Sequence, residues 1–68
     1  MGVVERKERE KAERRKAILD TAKDLIRTRP FEEITMEDIA KRLELARATL
    51  YLYFRNKNEI FTTLLTLG

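Results

Sequence analysis

The side chains able to do chemistry fall into two groups. Glu32–Glu33 and Glu37–Asp38 are pairs of neighbouring acids, the raw material of general acid–base catalysis. Arg47, Arg55 and Lys57 surround an unbroken Tyr51-Leu52-Tyr53 run that holds no acid, a composition suited to gripping a polyanion. The first group carries little. Adjacent acids more often form a solvated edge and satisfy the positive end of a helix. The chain has no histidine and no cysteine, and serine, tryptophan and glutamine are also missing. The proton shuttle of neutral pH and the common nucleophile–base arrangements therefore cannot be built. The only glycines, Gly2 and Gly68, cannot form a phosphate-cradling loop. No enzymatic activity, cofactor or metal site is expected.

The 68 residues allow one small domain. A 43% hydrophobic fraction supports a core, and a 40% charged fraction supports a wet exterior. No stretch approaches eighteen consecutive apolar residues and nothing resembles a signal peptide, so the expectation is a cytoplasmic protein without membrane association. The net charge of +3 is unevenly spread. Residues 1–16 hold seven bases and four acids, residues 17–46 five bases and seven acids, and residues 47–58 three bases and no acid. Positive charge at the amino-terminal arm and around the aromatic run points to a polyanionic partner.

The elements that would position these residues read as helices throughout. Ile18, Leu19, Ala22, Leu25 and Ile26 recur at helical spacing, predicting a first helix over about 14–28 that Pro30 stops. Residues 1–13 before it alternate in charge without an apolar stripe, and are either a solvated helical extension or a frayed arm. Phe31 and Ile34 are expected in the core. Thr35 and Asp38 have the spacing of an acidic capping box, with Ile34 and Ile39 as its hydrophobic staple, opening a second helix over about 36–43. Its Ile39, Ala40 and Leu43 point inward. Only three residues then separate it from a third helix over about 47–53, so the two must cross steeply as a helix-turn-helix. That turn lacks glycine, so Glu44 is expected in the left-handed region at a cost of about 1 kcal/mol, and Ala46 caps poorly. Asn56 and Glu59 mark the start of a fourth helix from about 57, with Ile60, Phe61, Leu64 and Leu65 on one side. This helix reads as lacking the neighbour it would pack against. The fold class is all-α: a three-helix helix-turn-helix bundle plus the start of a fourth helix, with residues 14–68 as the domain.

Turning the third helix so that Leu50 and Phe54 face the core sends Ala48, Leu52 and Arg55 outward, flanked by Tyr51 and Thr49. That face is poorly suited to water and well suited to a DNA major groove. Alanine allows close approach, Tyr51 and Leu52 meet thymine methyls, and Arg47 forks onto guanine or phosphate. Two alternatives stay open from the residues alone. Tyr51 and Leu52, with the apolar face of the fourth helix, could form a protein–protein interaction module, or Tyr51 and Leu52 could pack on the first helix.

"ILDTAKDLI", "FEEITMEDIAKRLELARATLYLYFRNKNEIF" and above all "TLYLYFRNKNEIF" resemble the amino-terminal DNA-binding domain of TetR-family transcriptional regulators over about residues 14–65. The resemblance implies a repressor that reads double-stranded DNA, usually a palindromic operator, as a homodimer joined through a carboxy-terminal domain absent from this sequence. It also implies site residues. Thr35 matches a phosphate-binding hydroxyl, and Arg47, Ala48 and Thr49 match the start of the recognition helix. Tyr51 matches a tyrosine packed on bases or backbone, Tyr53 a phosphate contact, and Lys57 a lysine that grips phosphate. Where the family generally has glycine this chain has Glu44; where it often has serine and glycine this chain has Ala46 and Ala48. Family arms sometimes follow the minor groove, a course open to Arg6, Lys7 and Arg9.

Overall fold

The computed structural model describes residues 2–67, with side chains from 7 to 66. Four helices follow in order: α1 (Gly2–Thr28), α2 (Met36–Leu43), α3 (Arg47–Tyr53) and α4 (Lys57–Leu67), with a single 3-10 turn at Phe31–Glu33 between the first two. Among the described residues there is no strand, and no helix is long and apolar enough to cross a membrane.

α1 sets the long dimension. Twenty-seven residues at about 1.5 Å each span about 40 Å, close to the 43 Å long axis of the molecule. Its carboxy-terminal half is amphipathic and buries Ile18, Leu19, Ala22 and Leu25. Its amino-terminal half is exposed from Lys7 to Lys16 and continues the same helix, so residues 7–13 are a helical extension. Ile26 shares the Leu19 side of α1 yet is 38% exposed, because there the helix borders an open groove toward Phe61, Leu64 and Leu65 of α4.

Pro30 adopts extended geometry at φ −68° and ends the helix. The 3-10 turn is clamped by α4. The Phe31 ring meets Phe61 edge-on at 5.2 Å, and the Lys57 ammonium lies 4.3 Å from the Phe31 ring centroid while donating to the Phe31 carbonyl at 2.7 Å. Phe31 is accordingly half-buried, and Ile34 is fully buried.

α2 opens with both halves of the capping box. The Asp38 N–H donates to Thr35 Oγ1 and the Thr35 N–H donates to Asp38 Oδ2, each at 3.0 Å. Arg29 reaches the same carboxylate oxygen at 2.9 Å, tying the end of α1 to the start of α2. The Thr35 backbone N–H, then its hydroxyl, hold the Asp38 carboxyl below its ordinary value of 3.8, with the Arg29 guanidinium adding to the effect against partial desolvation. The staple residues Ile34 and Ile39 are both fully buried.

α2 closes on Glu44 at φ 56°, ψ 37°, among the described residues the one non-glycine with positive φ. The bonds are those of a Schellman motif. The Glu44 N–H donates to the Lys41 carbonyl at 3.1 Å and the Leu45 N–H to the Ala40 carbonyl at 2.9 Å. Leu45 is half-buried against the core, as the motif requires of its last residue.

The core joins Ile18, Leu19, Ala22 and Leu25 of α1 to Ile34, Met36, Ile39 and Ala40, then to Leu50, Phe54 and Ile60. Leu43 is only partly buried beside it. α1 packs on α2 and α4, and α2 packs on α3. Asn56 Oδ1 accepts from the Glu59 N–H at 2.9 Å and starts α4. Among the described residues Glu59 returns no hydrogen bond, so the second capping box is half formed.

Two predictions follow from these helix ends. Glu44→Gly removes the left-handed penalty and should stabilise the domain by about 1 kcal/mol, raising Tm by about 4–8 °C in a thermal melt. Because the folded carboxyl of Asp38 is depressed, its contribution is present above pH 3.8 and is lost as pH falls below it. Asp38→Asn should therefore lower Tm at neutral pH and narrow its gap to the parent as the pH drops through that range, read by circular dichroism.

Candidate nucleic-acid interface

α3 has seven residues, too few to be helical alone, and no side chain caps its amino end at Ala46. Its orientation is imposed by packing. Leu50 is fully buried and Phe54, just past its end, is 2% exposed. With those two inward, Leu52 is 83% exposed, Tyr51 is 46% exposed, and Arg47 and Ala48 are exposed. Thr49 is half-buried. The outward ridge is thus Ala48 and Leu52, with different neighbours on its two sides.

On one side Arg47 and Tyr51 line a shallow concavity with Thr35, Met36, Asn56 and Lys57. Three elements converge there: the start of α2, the start of α3 and the start of α4. Helix starts present backbone N–H groups and positive dipole ends, so the concavity combines those with a guanidinium, an ammonium and two hydroxyls. One acid enters it. Glu37 Oε1 accepts from Arg47 Nη2 at 3.2 Å, with both side chains more than half exposed. An exposed pair of this kind is worth at most about 1 kcal/mol, so a competing anion can displace it. Lys57 is held in place by the Phe31 carbonyl and ring, and an ammonium has three donors, so its anchoring leaves two hydrogens for a ligand. The Thr35 hydroxyl oxygen is engaged by the capping box.

On the other side Tyr53 is half-buried and meets α1. Leu52 and Tyr53 form one hollow with Lys11, Ala12 and Arg15. Tyr53 forms a second with Lys7, Glu10, Lys11 and Arg14. The Arg15 guanidinium lies 5.3 Å from the Phe54 ring centroid.

Of the residues singled out in the sequence, Thr35, Arg47, Tyr51 and Lys57 therefore come together. Ala48 lies on the ridge beside them, Thr49 is half-buried, and Tyr53 belongs to the opposite flank. Sequence reasoning missed three features. Glu37 pairing with Arg47 and Asn56 lining the concavity have no local signal. The bases of α1 that border Tyr53 did have one, a spacing of four and seven residues from Lys7. Lys7 and Arg9 lie on a helix that turns these two side chains to opposite sides; the Arg6 side chain lies outside the described residues.

Residues 18–64 match the family described as "Bacterial regulatory proteins, tetR family". The chain is 42% identical over 53 residues to the HTH-type transcriptional regulator EthR of Mycobacterium tuberculosis (strain ATCC 25618 / H37Rv). It has the same identity to EthR of Mycobacterium bovis, and is 40% identical to EthR of Mycolicibacterium smegmatis. Each match covers 78% of this chain and 24% of the relative, so the chain spans about a quarter of the length of these regulators. With its four helices, three-residue connection from α2 to α3 and outward-facing α3, the chain belongs to the tetR family of bacterial regulatory proteins, as a DNA-binding helix-turn-helix domain.

Proposed function

We propose that α3 is the recognition helix of a sequence-specific transcriptional repressor and lies in the major groove of double-stranded DNA. The observation that carries this reading is the exposure of Ala48, Tyr51 and Leu52 on a helix whose Leu50 is fully buried. Apolar and aromatic groups held out toward water on a short, rigidly packed helix fit a groove floor that offers thymine methyls and base-edge acceptors. In this reading Ala48 permits close approach, Tyr51 and Leu52 contact methyls, and Thr49 and Arg47 reach base edges or phosphate. Thr35 and Lys57 hold the backbone on one side and Tyr53 on the other. Glu37 is then a decoy carboxylate: a phosphate must displace it to reach Arg47, which weakens contacts that bring no other gain. Two such domains, joined as a homodimer by the remainder of a full-length regulator, would read a palindromic operator.

A second reading, a helical protein-interaction module, has one observation in its favour. Leu19, Ile26, Phe61, Leu64 and Leu65 line an open apolar groove between α1 and α4. No residue of α3 lines that groove, so it accounts for a protein contact by α4 without engaging α3.

The test selects bound duplexes from a random pool and then compares variants on the selected sequence. Tyr51→Ala should weaken binding by about 1–3 kcal/mol, with unchanged helical circular dichroism. Leu50→Ala should instead cost about 2–5 kcal/mol of folding stability. Affinity should fall steeply with added salt. Salt-insensitive binding, or a Tyr51→Ala protein that binds as tightly as the parent, overturns the assignment.

A further inference from the structure

A helix in a major groove has a phosphate strand on each side, so a reading head of this kind needs a grip on both. The Thr35–Arg47–Lys57 concavity serves one side. We infer that Lys7, Lys11 and Arg14, on the amino-terminal half of α1, form a second site for the DNA phosphate backbone, facing the strand across the groove. The inference rests on the reading of α3 as the major-groove helix and goes beyond it in assigning a binding role to the α1 extension.

Three observations carry it. Lys7, Lys11 and Arg14 are spaced four and seven residues apart, so at about 100° per residue they share an arc of about 60°. All three are exposed, and they adjoin Tyr53 in one hollow, on the flank of α3 opposite Arg47 and Tyr51. One acid, Glu10, borders the same hollow. Arg15, next along the helix, places its guanidinium 5.3 Å from the ring centroid of the core residue Phe54, so α1 passes beside the end of α3. The stripe therefore lies beside the reading helix.

The helical form decides how such a stripe can meet DNA. An α-helix with side chains is about 10–12 Å across and the minor groove is about 6 Å wide, so α1 cannot enter it as an extended arm does. It can lie along the phosphate rim. Lys7 and Arg14 are about 10 Å apart along the axis, a separation that addresses more than one phosphate.

The experiment measures binding to a random-sequence duplex as a function of salt, because phosphate contacts do not depend on base sequence. One variant combines Lys7→Gln, Lys11→Gln and Arg14→Gln, glutamine being a good helix former. A control combines Arg9→Gln, Lys16→Gln and Lys23→Gln. It removes the same charge from other parts of α1, where Lys16 and Lys23 border the α1–α4 groove. Loss of three phosphate contacts should reduce the salt slope by about two to three units and weaken binding roughly 50- to 500-fold near 0.1 M salt. The control should change the slope by less than about one unit. A single Lys11→Ala, which favours helix, should by itself take about one unit from the slope and guards against unfolding of the triple variant. Equal effects of the two triple variants, or an unchanged slope in the stripe variant while the parent binds duplex, overturn the α1 site alone. Failure of the parent to bind any duplex in dilute buffer overturns the α3 reading and the α1 site with it.

Discussion

The burial of Leu50 controls what α3 presents to solvent. Two turns of helix have no stability of their own in water, because nucleation fixes several residues for a single hydrogen bond. Ala46 adds no side-chain cap, and Tyr53 leads directly into the extended Phe54. What holds the segment is the pairing of Leu50 and Phe54 with the α1–α2 core, together worth several kcal/mol of apolar burial. That pairing fixes the rotation of the helix as well as its existence. With Leu50 and Phe54 committed, Ala48, Tyr51 and Leu52 have nowhere to go but outward. The exposed apolar ridge is thus a consequence of core packing, and its stability cost is met by residues on the other side of the same helix.

The approach to α3 is equally constrained. A turn of three residues between α2 and α3 leaves few backbone solutions, and the one adopted needs a left-handed residue at Glu44. The Schellman bonds and the half-buried Leu45 hold that residue against a penalty of about 1 kcal/mol. A glycine there would relax the turn. The wider choice of conformations that glycine gives the unfolded chain would offset part of that gain. The turn that separates α3 from α2 is therefore built from local hydrogen bonds and needs no contact made by the outward face.

Much of this was legible because it is local. Thr35 with Asp38, Ile34 with Ile39, Pro30 after Arg29 and Asn56 before Glu59 are short-range patterns whose chemistry acts within one turn. Leu50 and Phe54 announce the core side of α3 by spacing alone. The features that escaped are long-range or depend on surroundings. Lys57 meets Phe31 across 26 residues, Arg47 meets Glu37 across ten, and Arg15 meets Phe54 across thirty-nine. No propensity or periodicity brings such residues together; the packing of the helices does. Ile26 illustrates the complementary failure. Its apolar type and its place on the side of α1 that carries Leu19 mark it for burial, but α4 does not close over that end of the stripe. Ile26 instead forms an apolar groove with Phe61, Leu64 and Leu65.

α1 then connects the two flanks of the ridge. Its carboxy-terminal half supplies four core residues, and Arg29, just past its end, reaches Asp38, which ties the start of α2 and the Thr35 side of the concavity to it. Its middle meets Phe54 through Arg15 and shares two hollows with Tyr53, so the Tyr53 flank lies beside it as well. A single unbroken helix, with no glycine or proline between Val3 and Arg29, bends little over that distance. Cations placed along it keep their spacing relative to α3 without further support. That explains why a segment with no apolar stripe can still be of use as a helix: charge-alternating sequence keeps it helical and hydrated, and the core at its far end sets its direction.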